Sequence, residues 1–282
     1  MGVGDPDLSN KVAFITGTTR GIGKQFALTL AKQGCNIVST GKTTEPREGM
    51  AGTIHQTASE VRDHGVEAIA VQLDVRDDAN VDVAVEQAVD KWGRIDIVVN
   101  NAGAIQLGAI DDVPESQYDL LMDVNLGGTY AVSRRTLPHL REVGGQIVTC
   151  SPPLSRESAP NMAAYAASKL GMTIVTKSIA AENRGTGVVA NTLWPVTGIE
   201  SRATRYHDES SEDDWRSPEI MADALLEILA MEGEDHSGDS FLDEEVLREA
   251  GITYFEPYNV TSGNPAPDCA RMFDPSYERP DR

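Results

Sequence analysis

Tyr165 and Lys169 lie four residues apart in Ala163-Ala164-Tyr165-Ala166-Ala167-Ser168-Lys169. On a helix, that spacing sets a phenol and an ammonium on one face, where a fixed positive charge favours ionisation of a group whose ordinary pKa is about 10. A tuned proton donor is the chemistry such a pair can do. Alone it is a weak signal, because a half-buried tyrosine beside a surface lysine looks the same. Three further signals accompany it: Thr16-Gly17-Thr18-Thr19-Arg20-Gly21-Ile22-Gly23 near the start, Asn100-Asn101-Ala102-Gly103 closing an apolar run, and Asn125 in the segment that follows.

The first signal is a phosphate cradle in outline. A strand, a glycine turn and a helix let backbone approach a pyrophosphate while the unpaired N–H groups at the helix start meet the anion. Gly17, Gly21 and Gly23 stand at such a junction, spaced Gly-x-x-x-Gly-x-Gly. The residue after the second strand selects the dinucleotide, since a carboxylate there accepts from ribose hydroxyls and repels an added 2′-phosphate. Gly41-Lys42 occupies that place, with Arg20 in the turn. NADP(H) is therefore favoured over NAD(H), through charge-assisted hydrogen bonds to the extra phosphate. The bland alternative is that both cations are ordinary solvated charges.

Strand-like runs alternate with helix-length segments along most of the chain, the pattern of a parallel sheet covered on both faces. Strands are expected at Val12 to Ile15, Cys35 to Thr40, Ala68 to Leu73, Ile95 to Val99, Gln146 to Cys150, Val188 to Leu193 and Ser240 to Leu242. Ile22, Phe26 and Leu30 repeat every fourth residue on the first helix, and Asp77 or Asp78 can cap the helix running toward Trp92. A polar connection containing Pro46 and Gly49 spans Gly41 to Thr53, a long helical region runs from about Pro114 to Leu140, the Tyr/Lys helix covers about Ala163 to Asn183, and another lies near Pro218 to Met231. These elements predict a single-domain α/β fold of Rossmann type, a doubly wound parallel sheet of about seven strands with helices on both faces. Residues 1–10 read as a polar extension, 11–250 as the dinucleotide-binding domain, and 251–282 as a Pro/aromatic-rich extension that lies across the domain or a neighbouring subunit.

Composition narrows the function classes. No apolar stretch approaches the ~18 residues of a membrane span. The start, Met1-Gly2-Val3-Gly4-Asp5-Pro6, fits no signal or transit peptide, and Pro6 stands where a myristoylation signal has Ser or Thr. A soluble, cytoplasmic protein is expected. Cys35, Cys150 and Cys269 and the five histidines show no ligand spacing, so neither a disulfide framework nor a metal site is expected. With 44 acids against 24 bases, a formal net charge of −20 and no lysine after Lys177, the chain repels nucleic acid and anionic membranes. The run from Asp208 to Asp214 reads as a solvated loop.

Jointly and in this order, the Thr16 to Gly23 turn, Asn100 to Gly103, Asn125 and Tyr165-x-x-x-Lys169 resemble the short-chain dehydrogenase/reductase family over roughly Lys11 to Leu242. Within it, Gly41-Lys42-Thr43-Thr44, Ser151-Pro152-Pro153-Leu154 and Leu193-Trp194-Pro195 are similar to the hydroxysteroid dehydrogenase-like protein 2 branch, whose animal members carry a sterol-carrier domain absent from these 282 residues. The resemblance implies hydride transfer between a nicotinamide cofactor and a secondary alcohol or ketone, on a small or lipid-like substrate, in a homodimer or homotetramer. It implies that Thr19, Arg20 and Ile22 complete the cofactor turn, that Asp74 and Val75 hold the adenine, that Asn101, Ala102 and Gly103 line the cleft, and that Pro195 and Ile199 border the nicotinamide. Tyr165 would be the acid/base, Lys169 would lower its pKa and bind the ribose, and Asn125 would fix a relay water.

Two departures stand out. The family's carbonyl-polarising serine sits thirteen residues before the tyrosine, where this chain has Pro152. Ser151 is the first candidate to replace it and Ser155 the second. Val196 replaces the glycine of the usual Pro-Gly pair. A rival function is a catalytically weak or inactive nucleotide-binding regulator or scaffold, because fold does not fix function. The dispersed acidic, lysine-poor surface resembles that of proteins from high-salt cytoplasms, where ions screen self-repulsion. Thermal unfolding is expected at clearly higher temperature in molar than in dilute salt; a flat profile would remove this reading.

Overall fold

The computed structural model describes residues 4, 6–46, 51–155, 157, 160–207, 211–263 and 265–280. Met1 and Gly2, Gly49 of the polar connection, and Asp208 and Glu209 of the acidic run lie outside them. The strands are β1 (Val12–Ile15), β2 (Asn36–Gly41), β3 (Ala68–Gln72), β4 (Ile97–Asn100), β5 (Gln146–Cys150), β6 (Val189–Trp194), β7 (Gly198–Ile199), β8 (Trp215–Arg216) and β9 (Ser240–Leu242). The helices are α1 (Gly21–Lys32), α2 (Ile54–Arg62), α3 (Asp78–Trp92), α4 (Glu115–Leu121), α5 (Gly128–Val143), α6 (Ala163–Glu182), α7 (Arg202–His207), α8 (Glu219–Ala230), α9 (Asp243–Glu249) and α10 (Asp268–Arg271).

Seven strands form one parallel sheet in the order β3-β2-β1-β4-β5-β6-β9. Strands buried on both faces need near-continuous apolar sequence, and β1, β4 and β6 are buried at every residue. On one face, Phe26, Leu30, Ala58, Leu225 and Leu247 of α1, α2, α8 and α9 pack over Ile15, Ile37 and Val148. On the other, Val81, Val85, Val132 and Ile179 of α3, α5 and α6 cover Phe14, Val38 and Val98. Asp77 caps α3, its carboxylate accepting from Asn80 N at 3.2 Å. Chain order reverses across the β1–β4 pair, which opens a crevice at the carboxyl ends of those strands.

Three features add detail beyond the sequence expectation. The long region expected from Pro114 to Leu140 is α4 and α5 joined by a π-helical turn, Met122–Gly127. A separate two-stranded ribbon, β7 with β8, forms within the loop after β6. Helix α9 follows β9 directly, through Leu242-Asp243-Glu244-Glu245, and Asp243 and Glu244 are fully buried.

Glu244 explains the burial and anchors the tail. Its carboxylate meets Arg216 Nη1 at 2.6 Å, Arg279 Nε at 2.9 Å and Arg248 Nη2 at 3.5 Å. Arg216 and Arg248 also stack on Phe255, 5.0 and 4.7 Å from the ring centre. Arg279 further donates to Pro265 O at 2.8 Å, so the last described residues are fastened to the domain. Ala270 N donates to Val196 O at 3.1 Å, and Trp194 Nε1 donates to Cys269 O at 3.0 Å. The tail thus packs on its own domain.

Breaking a buried ion cluster by removing its shared partner strands the remaining charges. Glu244→Ala is expected to lower the unfolding free energy by about 3–5 kcal/mol in urea denaturation. A loss under about 1 kcal/mol would mean that the arginines find water instead.

Candidate active site

The crevice at the sheet reversal is a cleft of about 760 Å³. It gathers Gly17, Thr19, Arg20, Gly21, Ile22 and Gly23 from the first turn, Lys42 after β2, Asp74 and Val75 after β3, and Asn101, Ala102 and Gly103 after β4. Twelve sequence-predicted cofactor residues therefore share one wall system. The chain comes so close to itself here that no side chain fits: a Cβ on Gly23 would stand 2.3 Å from Gly17 O and 2.4 Å from Asn101 Nδ2. Gly17 adopts φ +76, a left-handed conformation open to glycine. Asn101 braces the turn, its Nδ2 donating to Thr16 O at 2.8 Å and Gly17 O at 3.1 Å. The Thr16 hydroxyl in turn accepts from Asn101 N and Ala102 N, both at 3.0 Å.

The α1 N-terminus opens into this cleft, and its unpaired N–H groups suit a pyrophosphate. The cradle that a Cβ would fill fits a dinucleotide phosphate. At the rim, Lys42 Nζ lies 4.0 Å from Asp74 Oδ2, and Asp74 is held by the Arg76 guanidinium at 2.6 Å. That hydrogen bond, ahead of the other charges, pulls the Asp74 carboxyl down to about 2. Arg20 Nε donates to Ala51 O at 2.9 Å, which fixes its guanidinium beside the turn. Ser201 and Arg202 also line the cleft. Neither was singled out from the sequence, where Arg202 stands three residues before Arg205 in a loop rich in acids.

Tyr165 and Lys169, the expected acid/base pair, are not among the residues that line this cleft. Tyr165 and Lys169 are both buried on α6, 7% and 5% exposed. The Tyr165 ring packs 6.1 Å from Phe273, which meets Trp194 edge-on at 5.3 Å. Burial, more than the neighbouring Cys269, pushes the phenol above its ordinary value. Lys169 donates from Nζ to Cys150 O and stands over the Trp194 ring at 5.1 Å. Burial pushes its ammonium down to about 8. Removal of water, and not the ammonium, therefore sets the phenol's shift, and the ammonium gives a hydrogen bond to a carbonyl.

Asn125 links the two regions. Its Oδ1 accepts from Ala104 N at 2.7 Å, and its Nδ2 donates to Ala104 O at 3.0 Å and to Ser168 Oγ at 2.8 Å. Ala104 lines the cleft, and Ser168 directly precedes Lys169 on α6. The π-helical turn lets Val124 face the cleft while Asn125 faces α6.

Ser151 is fully buried, with its Oγ 2.9 Å from the Thr173 hydroxyl. Thr173 stands two helical turns beyond Tyr165, roughly 12 Å along the axis. Ser155 borders a second cavity with Phe273 and Tyr277. Pro195 and Ile199 are buried and are not among the residues that line the cleft. Among the described residues, no group of three or more His, Cys, Asp or Glu is placed to hold a metal ion. No helix of the described residues is long and apolar enough to cross a membrane.

Comparison with known proteins agrees with this geometry. Residues 11–211 match the short chain dehydrogenase family. The chain belongs to that family. It is 39% identical over 262 residues to hydroxysteroid dehydrogenase-like protein 2 of Xenopus tropicalis, covering 92% of this chain and 62% of the relative, less than two thirds of its length. A solved short chain dehydrogenase from Mycobacterium thermoresistibile superposes with a TM-score of 0.85 at 36% identity, over 92% of this chain and 94% of that one. A short chain dehydrogenase from Mycobacterium paratuberculosis bound to NAD superposes with a TM-score of 0.72 at 25% identity, over 84% and 97%.

Asp243, bonded to Val196 just after β6, is expected to make stability pH-dependent. Its Oδ1 accepts from Val196 N at 2.8 Å and Glu244 N at 2.7 Å. Burial, and then the charge of Glu244, raises its carboxyl from 3.8 to about 7. A raised carboxyl stabilises the fold fully below about 3.8 and loses that contribution as pH rises to about 7, since the native state then binds the extra proton. Asp243→Asn should lack this decline, so wild type compares best with the variant at pH 4.5 and worst at pH 8 in urea unfolding. Parallel curves for the two proteins would contradict the assignment.

Proposed function

We propose that the protein is an oxidoreductase that interconverts a secondary alcohol and a ketone with a nicotinamide dinucleotide, NADP(H) in preference to NAD(H). The observation that carries this reading is the Asn125 carboxamide, which joins Ala104 of the cleft wall to Ser168 of the Tyr165/Lys169 helix. It holds the proton donor in fixed register with the dinucleotide cleft. When bound, the reduced cofactor supplies a hydride to the carbonyl carbon. The chain must then place a proton on the resulting alkoxide oxygen. Tyr165 is the donor; burial raises its phenol and so weakens it as an acid, yet an alkoxide is a strong enough base to take its proton. Lys169, pulled down to about 8, sits near the point where it can accept or release a proton in the same relay.

The cofactor preference is supported by Lys42 and Arg20 on the cleft wall and by the absence of a carboxylate directly after β2. The nearest carboxylate, Asp74, is compensated by Arg76. For the carbonyl, Ser155 is better placed than Ser151, whose hydroxyl is taken up by Thr173. A homo-oligomer is supported by the large apolar side chains of Tyr118, Tyr130 and Ile174 exposed on α4, α5 and α6. The non-catalytic scaffold remains the second reading, favoured by Pro152 in the position of the family's serine.

Stopped-flow oxidation of NADPH with a panel of ketones tests the proposal. Tyr165→Phe is expected to abolish turnover while keeping NADPH affinity, and Ser155→Ala to slow the chemical step by ~100-fold. Lys42→Ala should weaken NADPH about tenfold and leave NADH unchanged. Tight NADPH binding by wild type with no turnover of any ketone would favour the scaffold.

A further inference from the structure

Charge reverses sign inside the dinucleotide cleft. The chain carries 44 acids against 24 bases, yet the charged residues among its described lining are Arg20, Lys42 and Arg202 against Asp74, which Arg76 neutralises at 2.6 Å. A local reversal of this kind, in a protein of net charge −20, draws an anion to one place. Two of the three cations stand on the side of β2. Lys42 directly follows that strand, and the Arg20 guanidinium is turned toward the connection after it, donating to Ala51 O at 2.9 Å and Gly52 O at 3.4 Å. Arg202 comes from another part of the chain, the loop after β6, and its side chain is exposed at the cleft.

The residue before it fixes where Arg202 stands. A Cβ built on Gly21, the first residue of α1, would lie 3.6 Å from Ser201 Cβ, so the loop meets the cleft at the helix end that suits a pyrophosphate. Ser201 is itself held in place. Its hydroxyl accepts from Thr204 N at 3.1 Å, and its carbonyl accepts from Arg205 N at 3.0 Å. One turn beyond Arg202, Arg205 pairs with Glu200 and Glu212, both at 2.5 Å, and lies 5.2 Å from the centre of the Trp215 ring. Glu200, two residues before Arg202, is therefore engaged elsewhere, and the backbone that carries Arg202 is pinned on both sides.

We propose that Arg202 is a pyrophosphate clamp, its guanidinium pairing with the dinucleotide diphosphate that the α1 turn meets with backbone N–H groups. The guanidinium fork matches phosphate oxygens in pairs, which an ammonium cannot do. The inference rests on the dinucleotide reading of the cleft, and on neither turnover nor the preference for a 2′-phosphate. A division of labour follows. Arg202 sets the affinity for any dinucleotide, offsetting the repulsion that the acidic chain exerts on a diphosphate, whereas Lys42 sorts NADPH from NADH.

Calorimetric titration of the full chain with NADPH, NADH and ADP-ribose, the last of which shares the diphosphate and lacks the nicotinamide, measures the clamp directly. Arg202→Ala should weaken all three by a common factor of about tenfold, and Arg202→Lys, which keeps the charge without the fork, should fall between. Arg184→Ala, which removes an exposed cation outside the cleft, is the charge-matched control and should stay within about twofold of wild type. Unchanged affinities in Arg202→Ala overturn the proposal. So does an equal loss in Arg184→Ala, which would make net charge the cause, and so does a loss confined to NADPH, which would move Arg202 to the 2′-phosphate. Wild type that binds none of the three ligands overturns the dinucleotide reading together with the clamp. A common loss in a protein that turns over no ketone supports the clamp and overturns the oxidoreductase alone.

Discussion

The arrangement depends on one close approach of backbone to backbone, where Gly23 passes over Gly17 under the carboxamide of Asn101. Because the strand order reverses between β1 and β4, the loops after these two strands diverge and must be tied together across the crevice. Thr16 and Asn101 make that tie through five polar contacts formed by short side chains, which have little conformational entropy to lose. The helix dipole of α1 and the walls after β2, β3 and β4 are aimed at a common volume as a result. No comparable precision is needed elsewhere around the cleft, where Lys42, Ser201 and Arg202 simply border it.

A second constraint acts from below. Ion pairs taken out of water rarely add net stability over a well-packed apolar substitute, so their value lies in specifying one arrangement among several. Glu244 with Arg216, Arg248 and Arg279 brings together the β8 ribbon, α9 and the C-terminal segment, three parts of the chain that an apolar contact could have joined in many orientations. Phe255 adds a flat face on which two of the guanidinium groups lie. Asp243 extends the same device upward to Val196, at the end of β6.

The sheet was legible because parallel strands buried on both faces leave an unmistakable run of apolar residues, and each run was bounded by a glycine, an aspartate or an asparagine. Strand ends moved by a residue or two, as with β6, which begins at Val189 and continues to Trp194 because the latter pairs with Leu242. The cleft wall was legible for a similar reason: its residues are sequence-local and contiguous with the strands that carry them. What escaped was set by distant partners. Asp243 and Glu244 look like surface acids until Arg216, Arg248 and Arg279 arrive from 28 residues before, four after and 35 after the glutamate. Ser151 was judged by its distance in sequence from Tyr165, whereas Thr173 decides where its hydroxyl goes. The cover over Tyr165 could not be foreseen, since Phe273 is 108 residues away in the chain and no local pattern points it there.

The π-helical turn from Met122 to Gly127 carries an evolutionary consequence. Such a turn holds one residue more than an α-helix of the same axial span, so trimming a single amino acid from it would restore regular winding and swing the preceding helix by roughly 100° about its axis relative to the following one. Val124 and Asn125 would then exchange the surfaces they serve, and the wall of the crevice would lose its grip on α6. Exposed polar residues of α4 and α5 can therefore drift, whereas a one-codon deletion between the two helices should be purged.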